Sequence, residues 1–232
     1  MRNESVLVVA AHPDDEVLGC GGTIAKHALA GARVHILILA EGATSRAGSR
    51  RTGLSSSASA LRTLREAARR AGKLLGAVDV SLAGLPDNRL DGVELLDIVK
   101  KIESAIAAAR PDIVYTHHNG DVNVDHRIAH DAVIAAVRPQ PGNRIRGLYF
   151  FETPSSTEWR PPASMPPFQP SHFVDIAKTL DRKMSALRAY DSEMRAWPHP
   201  RSYRAIEHLA RWRGATVGCE AAEAFENGRT IA

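Results

Sequence analysis

Residues 5–16 read SVLVVAAHPDDE, an apolar run that ends directly in a histidine and three carboxylates. A continuous apolar run of this length is typical of a buried strand. Like charges that crowd together raise one another's free energy, and a bound cation removes that cost. The stretch therefore predicts a buried first strand at Ser5–Ala10 with a functional turn at its carboxyl end.

The rest of the chain alternates short apolar runs with longer amphipathic ones. Further strands are predicted at Arg33–Leu39, Val78–Ala83, Ile113–Thr116 and Gly147–Phe151, and helices at Gly22–Ala30, Ala58–Leu75, Leu95–Ala109, Asp125–Val137 and Ile176–Tyr190. This alternation indicates right-handed βαβ units, and hence a single α/β domain with a Rossmann-like, open, mostly parallel sheet flanked by helices. Residues 154–170 hold six of the thirteen prolines and are expected to form an irregular excursion.

Composition excludes several classes of partner. The net charge of +4 comes with scattered arginines and only 5% aromatic residues, without a nucleic-acid-binding motif, so no nucleic-acid partner is expected. The longest apolar runs are too short to span a bilayer, so no membrane partner is expected either. The first run is also too short for a signal peptide, and acidic residues follow it at once, which predicts a cytoplasmic protein. The proline-rich excursion at residues 154–170 is compatible with a homo-oligomer.

A second polar cluster, THHNGDVNVDHR at residues 116–127, follows the fourth predicted strand and opens a helix. His126 and His130 have the i, i+4 spacing of a metalloprotease helix, but Arg127 stands where that motif needs its glutamate. His130 is therefore expected to pack or cap locally. His126 completes a three-ligand set with His12 and Asp15, the donor pattern of catalytic Zn²⁺ with an open position. Other divalent transition metals, such as iron or cobalt, suit the same donors.

A glycine-rich stretch, Gly19–Gly22, lies between a predicted strand and a predicted helix. It resembles a dinucleotide-binding loop only superficially because the GxGxxG spacing is missing. A nucleotide-binding oxidoreductase is therefore disfavoured. The glycines are instead expected to let the N-terminus of a helix approach the turn that carries His12 and Asp15.

Several stretches together carry a family resemblance: AHPDDE at 11–16, DVNVDHR at 121–127 and LAGLPDNRL at 82–90, with weaker matches in FETPSSTEW at 151–159, PHPRS at 198–202 and AAEAF at 221–225. They span almost the whole chain. The sequence resembles the PIG-L/LmbE family of zinc-dependent N-acetylglucosaminyl deacetylases. The resemblance implies that His12, Asp15 and His126 are the zinc ligands and that Asp14 is the general base.

The chain departs from the family pattern at one position. Where the family often has a histidine, three residues before the last ligand, this sequence has Asn123. An amide donates a hydrogen bond to an oxyanion but gives up no proton at neutral pH. Protonation of the leaving amine then falls to Asp14, which returns its proton, or to His199 in the PHPRS segment.

Three further residues are expected around this centre. Asp125 is expected to orient a neighbouring side chain without touching the metal. Arg46 and Asp87 follow predicted strands on the functional edge of the sheet, and they are expected to bind substrate. For Asp87, the resemblance implies a contact to sugar hydroxyl groups, while a plain turn explains the Asp-Asn pair equally well.

The expected reaction is metal-dependent hydrolysis of the N-acetyl amide of an amino sugar or sugar conjugate, with release of acetate. Two alternatives stay open at this point. One is an amidase of a thiol–sugar conjugate, since the same chemistry suits any amide near a sugar ring. The other is a non-catalytic protein that binds sugar or metal, because Asn123 replaces the usual histidine.

Overall fold

The computed structural model describes residues 4–42 and 54–232, with side chains from residue 58 in the second range. Its strands are β1 (Ser5–Ala10), β2 (Arg33–Ala40), β3 (Asp79–Leu85), β4 (Ile113–His117), β5 (Gly147–Phe151), β6 (His172–Asp175) and β7 (Ala222–Thr230). Its helices are α1 (Asp15–Leu29), α2 (Leu54–Leu75), α3 (Leu95–Ala109), α4 (Val124–Ala136), α5 (Leu180–Leu187) and α6 (Tyr203–Ala215). Short 3₁₀ helices lie at Leu90–Gly92, Thr157–Trp159 and Arg188–Glu193.

The strands form one sheet in the order β3-β2-β1-β4-β5-β7-β6. The first five strands in this order are parallel, and β7 and β6 extend the β5 edge in antiparallel fashion. The chain proceeds from β1 to one edge of the sheet and then continues on the other side of β1 with β4. The carboxyl ends of β1 and β4 therefore flank the point where strand order reverses, which is where open α/β sheets bind ligands. The predicted Rossmann-like, mostly parallel sheet is confirmed.

Strand β1 is buried along its whole length because helices cover both faces of the sheet. Val6, Val8 and Ala10 pack into the apolar cluster beneath α1, α2, α5 and α6. Leu7 and Val9 pack on the opposite face against α3 and α4. Burial on both faces explains why the sequence shows an unbroken apolar run and no alternation of polar and apolar residues.

Helix α1 begins at Asp15, seven residues before the predicted start at Gly22, so the glycines lie inside the helix. A Cβ on Gly19 would stand 2.2 Å from a ring carbon of Phe151, and one on Gly22 would stand 2.8 Å from the side chain of Ile176. The glycines thus permit close packing along α1, and the expectation that they serve a helix N-terminus was wrong.

A buried ion pair supports a kink in α1. Cys20 has non-helical dihedral angles (φ −146°, ψ 26°), which interrupt the helical hydrogen bonds. The carboxylate of Glu223 accepts the backbone N–H groups of Gly22 and Thr23 at 2.9 and 2.7 Å. The ammonium group of Lys183 donates to the carbonyl of Leu18 at 2.8 Å and to Glu223 at 2.6 Å. The pair therefore satisfies backbone groups on both sides of the kink.

Replacing Lys183 with methionine should lower the free energy of unfolding by about 3–5 kcal/mol, because the buried Glu223 carboxylate loses its counter-charge. Urea unfolding followed by circular dichroism measures this. Adding Glu223→Gln to Lys183→Met removes the unpaired charge and keeps an amide oxygen as acceptor, so part of the loss should be recovered. A single variant as stable as the wild type would contradict the role of the pair.

The C-terminal third differs most from the predicted pattern. The predicted helix Ile176–Tyr190 is shorter, since α5 spans Leu180–Leu187 and then tightens into the 3₁₀ helix Arg188–Glu193. Strands β6 and β7 and helix α6 were not predicted. Residues 154–170 hold one 3₁₀ helix, Thr157–Trp159, and otherwise lack helix and strand. Among the described residues, no helix combines the length and hydropathy that crossing a bilayer requires.

Candidate metal centre and active site

The turn after β1 carries the side chains of His12, Asp14 and Asp15. Asp14 has φ 108° and ψ −28°, a left-handed conformation that a non-glycine residue adopts at a cost of about 1–3 kcal/mol. This conformation reverses the chain between β1 and α1, so Asp15 becomes the first residue of the helix. The backbone N–H of His12 donates to Asp15 Oδ2 at 2.9 Å, which closes the turn.

Three side-chain atoms form a nearly equilateral triangle at the carboxyl ends of β1 and β4. His12 Nδ1 lies 3.2 Å from Asp15 Oδ2 and 3.3 Å from His126 Nε2, and His126 Nε2 lies 3.2 Å from Asp15 Oδ2. Atoms that each lie about 2.0–2.1 Å from one tetrahedral zinc ion are roughly 3.3 Å apart. The three predicted ligands therefore fit a divalent metal with one face left for water or substrate.

Buried carboxylates hold the outer nitrogen of each histidine. His126 Nδ1 lies 3.0 Å from Asp121 Oδ2, and His12 Nε2 lies 3.1 Å from Asp125 Oδ2 and 3.4 Å from Asp87 Oδ1. Such partners fix the tautomer and ring orientation of metal-binding histidines. Asp125 thus lies in contact with His12, one of the three predicted ligands. Asp87 and Asp125 therefore both lie on the outer side of the His12 ring, away from the triangle.

The electrostatics of the site agree with this arrangement. Burial lowers the pKa of His126, but Asp15 and Asp121 outweigh it and raise the pKa to about 9. Burial raises the pKa of Asp121, yet its hydrogen bond to His126 brings the pKa down to about 2. The cluster therefore concentrates negative charge around two histidine rings, a field that favours a bound cation.

Asp121 is a site residue that the sequence analysis did not identify. Its Oδ1 accepts a short hydrogen bond from the hydroxyl of Ser156, and its Oδ2 accepts one from Thr157 at 2.8 Å. Its place in the DVNVDHR stretch is the sequence feature that could have identified it. Without the fold, however, nothing distinguishes Asp121 from Asp125 as the partner of His126.

Asp14 lies beside the triangle and outside it. Its side chain is buried, and its Oδ2 accepts a hydrogen bond from Arg201 at 3.1 Å. The pKa of Asp14 is raised to about 7, chiefly by burial and in part by the charge of Asp15. The guanidinium of Arg201 lowers this pKa but does not cancel the two effects. A carboxyl group with such a pKa accepts and returns a proton near neutral pH.

Two other histidines of the second cluster support the fold of the site. His117 Nε2 accepts the backbone N–H of Ala11 at 2.8 Å, and the ring stacks on His126 with centroids 4.1 Å apart. Burial lowers the pKa of His117 well below its usual value, which suits a neutral ring that accepts at Nε2. His130 Nδ1 donates to the carbonyl of His117 at 2.9 Å, so His130 packs locally as expected.

Asn123 begins helix α4. Its Oδ1 accepts the backbone N–H of Asp125 at 2.8 Å, which is the bond of a helix N-cap. Its Nδ2 donates to Asn88 Oδ1 at 3.0 Å, and this bond uses one of the two amide hydrogens. The side chain therefore caps α4 and also lines the pocket that contains the triangle.

A pocket of about 150 Å³ opens over the metal triangle. Its walls come from the turns after the strands and from the C-terminal part of the chain: His12, Pro13, Asp14, Asp15, Gly42, Asp87, Asn88, Asn123, His126, Ser155, Ser156, Glu193 and Arg201. The predicted residues Asp87 and Asn123 line it. Glu193 and Arg201 also line it, and they come from a region that the sequence analysis did not interpret.

Two other predicted site residues are placed differently. Arg46 lies outside the described residues. His199 does not line the pocket in the part of the chain that the structure describes. It lies two residues before Arg201, and its Nδ1 accepts the backbone N–H of Arg201 at 3.0 Å.

The fold and the site together define a Rossmann-like α/β protein with a candidate metal centre at its switch point. The model of the PIG-L family, described as GlcNAc-PI de-N-acetylase, matches residues 7–137. The chain belongs to this family.

Relatives in the family carry out more than one reaction. The chain is 30% identical over 209 residues to the 4-oxalmesaconate hydratase of Pseudomonas putida, which covers 84% of this chain and 76% of that protein. It is 28% identical over 264 residues to a 1D-myo-inositol 2-acetamido-2-deoxy-alpha-D-glucopyranoside deacetylase of Rhodococcus opacus, covering 91% and 89%. A conserved protein from Thermus thermophilus superposes with a TM-score of 0.76 at 27% identity, covering 99% of this chain and 96% of that one.

Proposed function

We propose that this protein hydrolyses the N-acetyl amide of a neutral amino sugar or sugar conjugate, with release of acetate and with Zn²⁺ held by His12, Asp15 and His126. The observation that carries the proposal is the ligand triangle with the buried Asp14 carboxylate directly beside it. Zn²⁺ held by these three residues would supply a Lewis acid for the acetyl carbonyl and would lower the pKa of water. The name of the Rhodococcus opacus relative supports the substrate class.

Asp14 is the proposed general base. Its Oδ2 is hydrogen-bonded to Arg201, which leaves Oδ1 to take a proton from the attacking water. An amide nitrogen leaves only when it is protonated, and Asp14 can return the proton it has taken. His199 remains the second candidate for this acid, and unchanged turnover after His199→Ala would exclude it.

Asn123 is the proposed donor to the oxyanion. Asn123→Ala should lower kcat by about 10²–10³-fold because a hydrogen bond to the developing charge is lost. It should also lower the free energy of unfolding by about 1 kcal/mol, because the cap of α4 is lost.

Asn123→Ser separates these two effects, since a serine hydroxyl caps a helix as well as an amide oxygen does. This variant should keep wild-type stability in urea unfolding and lose turnover. If Asn123→Ser loses no turnover, Asn123 acts only as a cap.

Charge in the pocket favours a neutral substrate. Four carboxylate side chains line the described pocket, at Asp14, Asp15, Asp87 and Glu193, against one guanidinium, that of Arg201. The guanidinium is already hydrogen-bonded to Asp14 and Ser155. Carboxylate oxygens accept hydrogen bonds from sugar hydroxyl groups, which supports the proposed substrate contact of Asp87. Arg46 stays a proposed substrate contact from its sequence position alone.

A hydratase is the second candidate, and the 30% identity to the Pseudomonas putida enzyme is the observation that favours it. The ligand triangle suits metal-assisted addition of water to a carbon–carbon double bond as well as to an amide. A polycarboxylate substrate, however, would bring several negative charges into a pocket lined by four described carboxylates, which exceed the combined charge of Arg201 and one divalent metal ion. Pocket charge therefore makes the deacetylase the better proposal.

The deciding experiment offers the zinc-loaded protein two kinds of substrate. Acetate release is measured with N-acetylglucosamine, its glycosides and analogues with longer acyl groups, and loss of the conjugated double bond is measured with 4-oxalmesaconate. Acetate release that stops after chelation and returns with zinc supports the proposal. If only 4-oxalmesaconate reacts, the protein is a hydratase and the deacetylase proposal fails. A preference for long acyl groups would indicate an amidase with a broader choice of acyl group.

A further inference from the structure

An exposed tryptophan, Trp159, lies three residues after Ser156, a residue that lines the active-site pocket. Trp159 is 52% exposed although tryptophan is the largest apolar side chain. It ends the 3₁₀ helix Thr157–Trp159, and its backbone N–H donates to the carbonyl of Ser156 at 3.2 Å. Ser156 lines the pocket, so the indole projects from the segment that forms the pocket wall.

The segment of residues 155–159 is tied to the metal centre. Thr157 Oγ1 donates to Asp121, which in turn holds the metal-facing ring of His126. The carboxylate of Glu158 accepts the backbone N–H groups of Ser155 and Ser156 at 2.7 and 3.3 Å. The position of the tryptophan is thereby set relative to the metal ligands, as a substrate-binding element requires.

A second loop supports the indole from one side. The ring of His199 packs edge-to-face on Trp159, with centroids 5.6 Å apart and an interplanar angle of 79°. The same loop sends Arg201 into the pocket, where it donates to Asp14 and to Ser155. The indole is thus in contact with a loop that also lines the pocket, and about half of the Trp159 surface stays exposed to solvent.

We propose that Trp159, supported by His199, is a stacking platform for a second ring of the substrate, an apolar or sugar aglycone attached to the N-acetylated sugar in the pocket. Indole faces pack well against sugar rings and aromatic groups. The pocket of about 150 Å³ opens to solvent, so a group attached to a sugar bound in it extends past the lining residues. This inference rests on the proposed deacetylase activity and makes Trp159 a specificity-determining residue.

The test compares kcat/KM for N-acetylglucosamine with kcat/KM for the two anomers of its phenyl glycoside. The wild type should prefer one phenyl anomer by about three- to tenfold, the gain expected from one aromatic pair. Trp159→Ala should bring this ratio close to one, and Trp159→Phe should keep part of it. Trp212→Ala is the matched control and should leave the ratio at its wild-type value. Like Trp159, Trp212 is exposed (65%) and does not line the described pocket, but it lies on α6, eleven residues after the pocket-lining Arg201.

A binding measurement separates this inference from the proposed reaction. With Asp14→Asn protein, titration calorimetry should show the same ratio of affinities and the same loss with Trp159→Ala. Acetate release by the wild type, with a ratio that Trp159→Ala leaves unchanged, would overturn the platform and leave the deacetylase standing. A shift of Trp159→Ala to a smaller species in size-exclusion chromatography, with that ratio unchanged, would reassign the indole to contact between two copies of the chain. Absence of both acetate release and sugar binding would overturn both proposals.

Discussion

Asp14→Asn is expected to lower kcat for acetate release by about 10²–10⁴-fold, because an amide cannot accept the proton of the attacking water. Metal content should stay at one ion per chain, since Asp14 lies outside the ligand triangle. The fold should tolerate the change because asparagine, like aspartate, adopts a positive φ more readily than most residues. Steady-state kinetics and metal analysis on the same sample measure both effects.

The neighbouring carboxylate is the matched control for this variant. Asp15→Asn makes the same isosteric change one residue later, but Asp15 Oδ2 lies within 3.2 Å of both ligand nitrogens. It should lose metal and activity together. Acetate release by Asp14→Asn within tenfold of the wild type would remove Asp14 from the role of base, and loss of metal in Asp14→Asn would make it a ligand.

His126→Ala is expected to abolish both metal binding and turnover. Removing one of three protein ligands leaves two, and it also leaves the buried Asp121 without the ring that it holds. Loss of a partner to a ligating histidine alone typically costs about 10–100-fold in metal affinity, and loss of the ligand itself costs more. Competition with a chromogenic chelator measures the affinity, and equilibrium dialysis measures the metal content.

His130→Ala tests the same helix one turn later. Because His130 Nδ1 donates to the carbonyl of His117, this variant should lose stability and keep wild-type metal affinity. A loss of metal affinity in His130→Ala as large as that in His126→Ala would mean that the pair of histidines binds metal together, as in a metalloprotease helix.

Most of the parallel half of the fold could be predicted from local patterns. Strand β1 matches its predicted bounds, and β5 and α3 also match. A buried strand or an amphipathic helix can be predicted in this way because its pattern of apolar residues lies within one continuous stretch of sequence. Strands β6 and β7 lack such a signal. β7 is half exposed and carries polar residues along its second half. Its position in the sheet therefore depends on backbone pairing with the edge of β5, which local sequence does not reveal.

The start of α1 was missed for a different physical reason. A proline, two aspartates and three glycines between residues 13 and 22 lower local helix propensity, and propensity alone predicts a later start. Helix forms there because Lys183 and Glu223, more than 160 residues away, satisfy the backbone at the kink. Tertiary contacts therefore outweigh local preference in this segment.

Sequence pattern alone predicted the sheet class and an expected site after β1 and β4, and it named His12, Asp15 and His126, whose side chains form the triangle. Three contacts became visible only in the folded protein: Asp121 holds His126, Arg201 reaches Asp14 across 187 residues of chain, and Trp159 packs on His199. Residue type and short spacing report the chemistry of a ligand set, because ligands must have particular donor atoms. The partners that orient those ligands need only be close in space, and proximity between distant segments is created by folding.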